Sequence, residues 1–407
     1  MIDTPPTDGF WKFSTADNIH FGRGCVSALK TVFANVECSR VLIVTDENLT
    51  ATGNVSTVTE SILASGNCVE VFDGSQAEPT IQTVLKALTF ARVCKADAIV
   101  GLGGGSNMDV AKLTGMLLKH PGIPQDFFGF DRVPGPITPV IAMPTTAGTG
   151  SEVSHSAVVT DTENQMNVST LSRWLRPYAA IVDPGLTDTC PPHVAAHSGM
   201  DALSHAIEAF LSRSHHEMDN VDFETRAYEG ANPLCDLFAS QAIQLIGHSL
   251  SDVVLNPTPQ ARNDLSLAAT LGGMAFSNAG VGLIHALEYP IGADVGCSHG
   301  QGTGLLLPHV MRFLLPVRRN RMTQIGVWLN VPPGSTRSMD ELALAAIERV
   351  ELLIQKIGLP SRLRAHGVRA EDLGRYAAKA FSIKRLVGLS PCDVSQDDLL
   401  AILKAAF

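Results

Sequence analysis

The chain has 407 residues, 45% hydrophobic and 17% charged, enough for about two or three domains, and its charge content is well below the roughly 25% usual in soluble domains. That composition argues against disorder and for a chain much of which is interior or interface. Forty acidic against thirty basic residues leave a net charge of -10, with no basic run long enough to track a phosphate backbone, which argues against nucleic acid and for a small metabolite.

Taken in chain order, Arg40 to Asp46 reads as a buried strand, Val55 to Ala64 as a helix, Cys68 to Phe72 as a strand and Ile81 to Cys94 as a helix. Asp97 to Gly101, Asn107 to Leu118 and Pro139 to Met143 follow as strand, helix and strand. Short β-branched runs separated by amphipathic segments predict a doubly wound, Rossmann-like parallel sheet. After Asp183-Pro184 the pattern turns helical: Val194 to Leu211, Leu234 to Leu250, Leu265 to Phe276, Gly280 to Tyr289, Met339 to Ile357 and Ala370 to Phe381. The expected organisation is an α/β domain over 1-190 and an all-α domain over 191-407.

Leu265 to Leu287 carries no Asp, Glu, Lys or Arg and imitates a membrane span, for which about twenty apolar residues suffice. Ser277, Asn278, His285 and four glycines interrupt it, so a buried helix or helix pair is expected and no membrane partner. The eight cysteines form no C-x-x-C pair, and Met1-Ile2-Asp3-Thr4-Pro5-Pro6 lacks the features of a signal peptide. The expected setting is the reducing cytoplasm.

Gly101-Leu102-Gly103-Gly104-Gly105-Ser106-Asn107-Met108-Asp109 runs from a strand straight into a helix. Consecutive glycines let backbone N–H groups approach a pyrophosphate, and the helix start adds partial positive charge. The spacing is not G-x-G-x-x-G, and a tight turn alone would need only one of these glycines. A second loop, Pro144-Thr145-Thr146-Ala147-Gly148-Thr149-Gly150-Ser151-Glu152, lies beyond a strand's carboxyl end, where ligand crevices form. Asp46 ends an earlier strand, where a carboxylate can bind an adenosine ribose and repel a 2'-phosphate, favouring NAD over NADP; capping the next helix is its alternative. The coenzyme set is Asp46, Gly103, Gly104, Gly105, Ser106, Asp109, Thr145, Thr146, Thr149, Ser151 and Leu186.

Asp201 and His205 share one helix face at i, i+4 and can bind one ion, or they are a cap and a core histidine. His285 lies in the uncharged stretch and His299 among small residues in an expected loop. One carboxylate and three imidazoles suit a divalent transition metal with a position open for substrate oxygen. His155, His215, His216 and His309 lie in less suitable surroundings.

Three motifs stand in order: Gly103-Gly104-Gly105-Ser106-x-x-Asp109-x-x-Lys112, the Thr145 to Glu152 loop, and Gly199-x-Asp201-Ala202-Leu203-x-His205-Ala206-x-Glu208. With them the chain resembles, essentially end to end, the iron-containing (group III) alcohol dehydrogenases. That resemblance implies an N-terminal dinucleotide domain, a helical metal domain and a cleft between them. It also implies Asp201, His205, His285 and His299 as ligands, and Fe(II) ahead of Zn(II). Two positions depart from the family: Tyr289 replaces a common histidine discussed as a proton relay, and Asn167 replaces a lysine placed near the cofactor ribose. With Ala77-Glu78-Pro79-Thr80 and Tyr228 to Pro233, Tyr289 is similar to the hydroxyacid-oxoacid transhydrogenase branch, which handles 4-hydroxybutyrate and 2-oxoacids.

The expected function is therefore metal-dependent hydride transfer between NAD and a small alcohol, aldehyde or hydroxyacid. The alternative is a transhydrogenase that retains its NAD. Tyr289 is the candidate proton relay. Lys384 and Arg385 are expected to be solvated, with a substrate carboxylate as their other possible partner. Apolar helices suggest a homodimer or larger assembly.

Overall fold

Residues 7–164, 166–218, 226–330 and 338–407 are described in the computed structural model. They fall into two units, Thr15–Cys190, and Pro191–Phe407 together with the N-terminal residues through Ser14. The first contains β1 (Asn18–Phe21), α1 (Leu29–Val36), β2 (Arg40–Val44), α2 (Glu47–Thr50), α3 (Asn54–Ala64), β3 (Cys68–Phe72) and α4 (Ile81–Cys94). It continues with β4 (Ala98–Gly103), α5 (Gly105–Lys119), β5 (Gly129–Phe130), β6 (Val140–Pro144), β7 (Ser156–Asp161), β8 (Met166–Leu171) and β9 (Ala179–Val182). Six strands form a parallel sheet in the order β1-β9-β6-β4-β2-β3.

Side-chain alternation explains why this sheet is covered on both faces. Val41, Ile43, Val100 and Leu102 pack with Leu29, Phe33, Val58 and Ile62 of α1 and α3. Their neighbours Leu42, Val44 and Ile99 point the other way, onto Val84, Leu88, Val110 and Leu113 of α4 and α5. With both faces buried, the strands read as continuous apolar runs. The antiparallel pair β7 and β8, joined to β5 in a small second sheet, was not expected. Its strands carry Ser156, Thr160, Asn167, Ser169 and Thr170, a composition that resembles a loop.

The second unit comprises α6 (Pro192–Leu211), α7 (Pro233–Leu255), α8 (Pro259–Ala279), α9 (Leu283–Val295), α10 (His299–Trp328), α11 (Met339–Lys356), α12 (Leu373–Ser382), α13 (Lys384–Val387) and α14 (Gln396–Ala406). Asn232 caps α7, Thr258 caps α8 and Ser338 opens α11 with a capping box, each satisfying N–H groups at a helix start. The N-terminal segment, assigned from sequence to the first domain, belongs here instead. Asn278 holds Ser14 through both its backbone N–H (2.8 Å) and its carbonyl (2.9 Å).

The uncharged stretch becomes α8 and α9, bent by 104° at their junction, and among the described residues no single helix is long and apolar enough to cross a membrane. His299 is not in a loop but is the first residue of α10, a helical span broken by a kink at Arg318. Gly300, Gly302, Gly304, Pro308 and Pro316 hide this helix from propensity. Packing explains one of them: a Cβ at Gly300 would overlap the carbonyl of His197. Only glycine lets α10 lie against α6 beside Asp201.

Candidate active site

Asp201 and His205 project from one face of the buried α6. His285 comes from the first turn of α9 and His299 from the first turn of α10. The four ligand atoms all lie within 4.8 Å of one another. Asp201 Oδ1 is 3.9 Å from His205 Nε2, 4.0 Å from His285 Nε2 and 3.6 Å from His299 Nε2. Donors bonded to one ion at about 2.0–2.2 Å stand roughly 3.4 Å apart, so the set needs little contraction to hold a metal. His285 Nε2 is buried with no hydrogen-bond partner, a costly state unless something binds it.

Two carboxylates set the imidazole orientations. Glu208 Oε2 accepts from His285 Nδ1 at 2.5 Å, while its Oε1 takes the Ile284 N–H at 2.7 Å. Glu288 Oε2 stands 2.6 Å from His299 Nδ1. Burial alone would push the Asp201 carboxyl up; His205, His299, His285 and the Thr303 hydroxyl together outweigh it and hold the carboxyl below its ordinary value. His205 stacks between Phe276 and His285, ring centroids 4.1 and 4.8 Å away. The side chain of His299 is 29% exposed against 2–6% for the other three, so the cluster opens on the His299 side.

In the α/β unit the two glycine-containing loops touch. Gly103 has φ +145°, and a Cβ there would overlap the Asn107 amide. A Cβ on Gly105 would approach Thr149 at 2.9 Å, and the Thr145 N–H bonds the Gly103 carbonyl at 3.0 Å. Helix α5 starts at Gly105 with Gly104 as an N-cap that supplies no side chain. Its leading N–H groups thus suit an anion. Asp46 plays its alternative part, capping α2 through Leu49 N–H, and it also accepts from Asn107 Nδ2 at 2.7 Å. Asn107 therefore ties the strand-end carboxylate to the glycine loop.

Three members of the coenzyme set stand deeper than expected. Asp109 accepts from the Ser151 hydroxyl at 2.6 Å and the Val158 N–H at 2.9 Å. Lys112 Nζ donates to Ser151 Oγ at 2.7 Å and to the Ser156 carbonyl at 2.9 Å. Burial depresses Lys112 to about 8, against the pull of Asp109 and Glu152. Asp109, Ser151 and Lys112 thus form an internal clamp beneath the second loop. Leu186 packs into the core on the α1 and α3 face. Ser106, Thr146 and Thr149 remain partly exposed at the loop surface.

The model of iron-containing alcohol dehydrogenases matches residues 16–184, and the C-terminal model of Fe-containing alcohol dehydrogenases matches residues 195–407. This chain belongs to the iron-containing alcohol dehydrogenase family. It is 34% identical to the NAD-dependent methanol dehydrogenase of Bacillus methanolicus over 88% of this chain and 90% of that one. It is 28% identical to the mitochondrial hydroxyacid-oxoacid transhydrogenase of Homo sapiens over 96% and 88%. The solved structure of a 1,3-propanediol oxidoreductase superposes with TM-score 0.91 at 31% identity, covering 98% of this chain and all of the other. This chain is a metal-dependent oxidoreductase that transfers hydride between NAD and a small alcohol or aldehyde, or the corresponding hydroxyacid and oxoacid.

In this iron-containing alcohol dehydrogenase Tyr289 is buried beside the open edge of the cluster, its ring centroid 6.0 Å from His299 and 6.3 Å from His285. Burial pushes its phenol up to about 12, and Arg385, which hydrogen-bonds it, only partly offsets this. The tyrosine stays protonated near neutral pH and offers a hydrogen bond there. The sequence reading of Lys384 and Arg385 as a solvated pair fails for one of them. Lys384 is exposed with Nζ 3.1 Å over the Phe381 ring, whereas Arg385 is half-buried on Tyr289.

Proposed function

We propose that Asp201, His205, His285 and His299 hold Fe(II), and that the chain oxidises or forms a short hydroxyacid with NAD. The observation carrying the metal assignment is the convergence of four donors on a buried point where His285 Nε2 has no hydrogen-bond partner. A metal held by these four residues would polarise the alcohol oxygen, and bound NAD would accept the hydride. The chain's own part is positional. Glu208 keeps the proton of His285 on Nδ1, and the stacked Phe276 holds the His205 ring. The Tyr289 hydroxyl, oriented by Arg385, donates a hydrogen bond on the open side, where the alcohol proton leaves toward solvent. Asp46 supports NAD over NADP, since a 2'-phosphate beside it would meet a carboxylate.

The half-buried Arg385 supports a hydroxyacid over a plain alcohol, because a guanidinium matches the fork of a carboxylate. No disulfide joins any of the eight cysteines, which supports a reducing compartment such as the cytoplasm. Edge strand β1, with Ile19 and Phe21 exposed, supports a homodimer. The test is turnover of 4-hydroxybutyrate against 1-butanol, with NAD and NADP, in iron- and zinc-loaded protein. The hydroxyacid, NAD and iron are expected to give the highest kcat/KM; preference for butanol, NADP or zinc would remove the corresponding part. Arg385 and the similarity to the human transhydrogenase favour a second reading, with retained NAD. Exchange between 4-hydroxybutyrate and a 2-oxoacid without added NAD would establish it.

A further inference from the structure

Glu288 carries no step in the reaction above, yet its carboxylate is almost wholly enclosed, 1% exposed. Two glycines from different helices make the space for it. A Cβ at Gly292, one turn further along α9, would overlap Glu288 Oε1, and a Cβ at Gly302 of α10 would come within 2.8 Å of its Cγ. Glycine is a poor residue for a helix interior, and here both positions are taken up by the same carboxylate.

Its partner is the most exposed of the four ligands. His299 begins α10 and is 29% exposed, whereas His285 is enclosed and held by Glu208. An imidazole on a helix end at the open edge can turn toward water or present either nitrogen. A carboxylate on Nδ1 fixes the proton there and leaves the Nε2 lone pair for a metal. With Glu288 Oε2 at 2.6 Å from Nδ1, His299 Nε2 lies 3.6 Å from Asp201 Oδ1, inside the cluster.

We propose that Glu288 is a positioning residue of the metal centre, locking the tautomer and rotation of His299 from a seat made by Gly292 and Gly302. This rests on the metal reading given above. The hydrogen bond also joins α9 to α10, so two of the four ligands are held in register by one side chain.

The test is Zn(II) affinity of the full chain, by competition with a chromophoric chelator, together with the visible spectrum of the Co(II)-loaded protein. Glu288→Leu is expected to weaken Zn(II) binding about 10- to 100-fold, the range usual when the partner of a metal-bound histidine is lost, and to alter the Co(II) bands. Glu288→Gln retains an oxygen that can accept from Nδ1 and is expected to lose less. Gly302→Ala, which leaves every ligand and Glu288 in the sequence but crowds the Glu288 seat, should also weaken binding. Wild-type affinity and spectrum in the Leu variant, or equal loss in the Gln and Leu variants, would overturn the proposal. A merely structural glutamate would lower the melting temperature of the metal-free protein and leave affinity unchanged. Failure of the wild-type chain to bind Zn(II) at all would instead sink the metal reading, and this inference with it.

Discussion

The helical unit and the α/β unit build their binding features from opposite materials. In the helical unit the features are side chains: four ligand atoms on α6, α9 and α10, with Glu208 and Glu288 behind two of them. In the α/β unit they are backbone: a helix start with a glycine cap and two loops brought together by the absence of side chains at Gly103 and Gly105. A metal needs charge and lone pairs at fixed points, which only side chains supply. A pyrophosphate needs close N–H groups, which side chains would obstruct. Substitutions should therefore act differently in the two units, removing a group in one and adding a group in the other.

The largest expected effect is in the helical unit. His205→Ala removes one of four ligands and should abolish stoichiometric metal, lowering kcat/KM by about three orders of magnitude or more; metal analysis beside a rate assay checks both. Next is the clamp beneath the second loop. Lys112→Met leaves Asp109 buried without its cation and should cost about 3–5 kcal/mol of stability, read by denaturant unfolding. Gly103→Ala adds a methyl group where φ is +145° and Asn107 already fills the space. It should cost about 1–3 kcal/mol and raise the KM for NAD, with metal content unchanged. Metal loss in that variant would break the division between the two units. The smallest effect is expected for Tyr289→Phe, which removes one hydrogen bond and should lower kcat/KM by about tenfold, with no change in metal content.

Legibility in the sequence followed the same division. Asp201 and His205 stood out through i, i+4 spacing, and His285 because an imidazole in an uncharged stretch needs a partner. The alternation from Arg40 to Met143 was readable because both sheet faces are covered. Glu208 was quoted within a motif without a role, although it is three residues after His205 on the same face. Glu288, three residues after His285, carried the same signal and was missed. Helix α10 was hidden by glycines that exist for contact with α6 and Glu288, a tertiary demand that local propensity cannot report. Asp109 and Leu186 lie deeper than the binding loops suggest: proximity in sequence to such a loop does not tell how deep a side chain sits.

The most direct test of the account is metal dependence of NAD reduction in one preparation. Protein stripped by a chelator, then reloaded anaerobically with Fe(II), is assayed for NADH formation with 4-hydroxybutyrate at each stage. The account predicts one metal ion per chain, loss of activity on stripping and its return on reloading. Undiminished NADH formation by metal-free protein would contradict it.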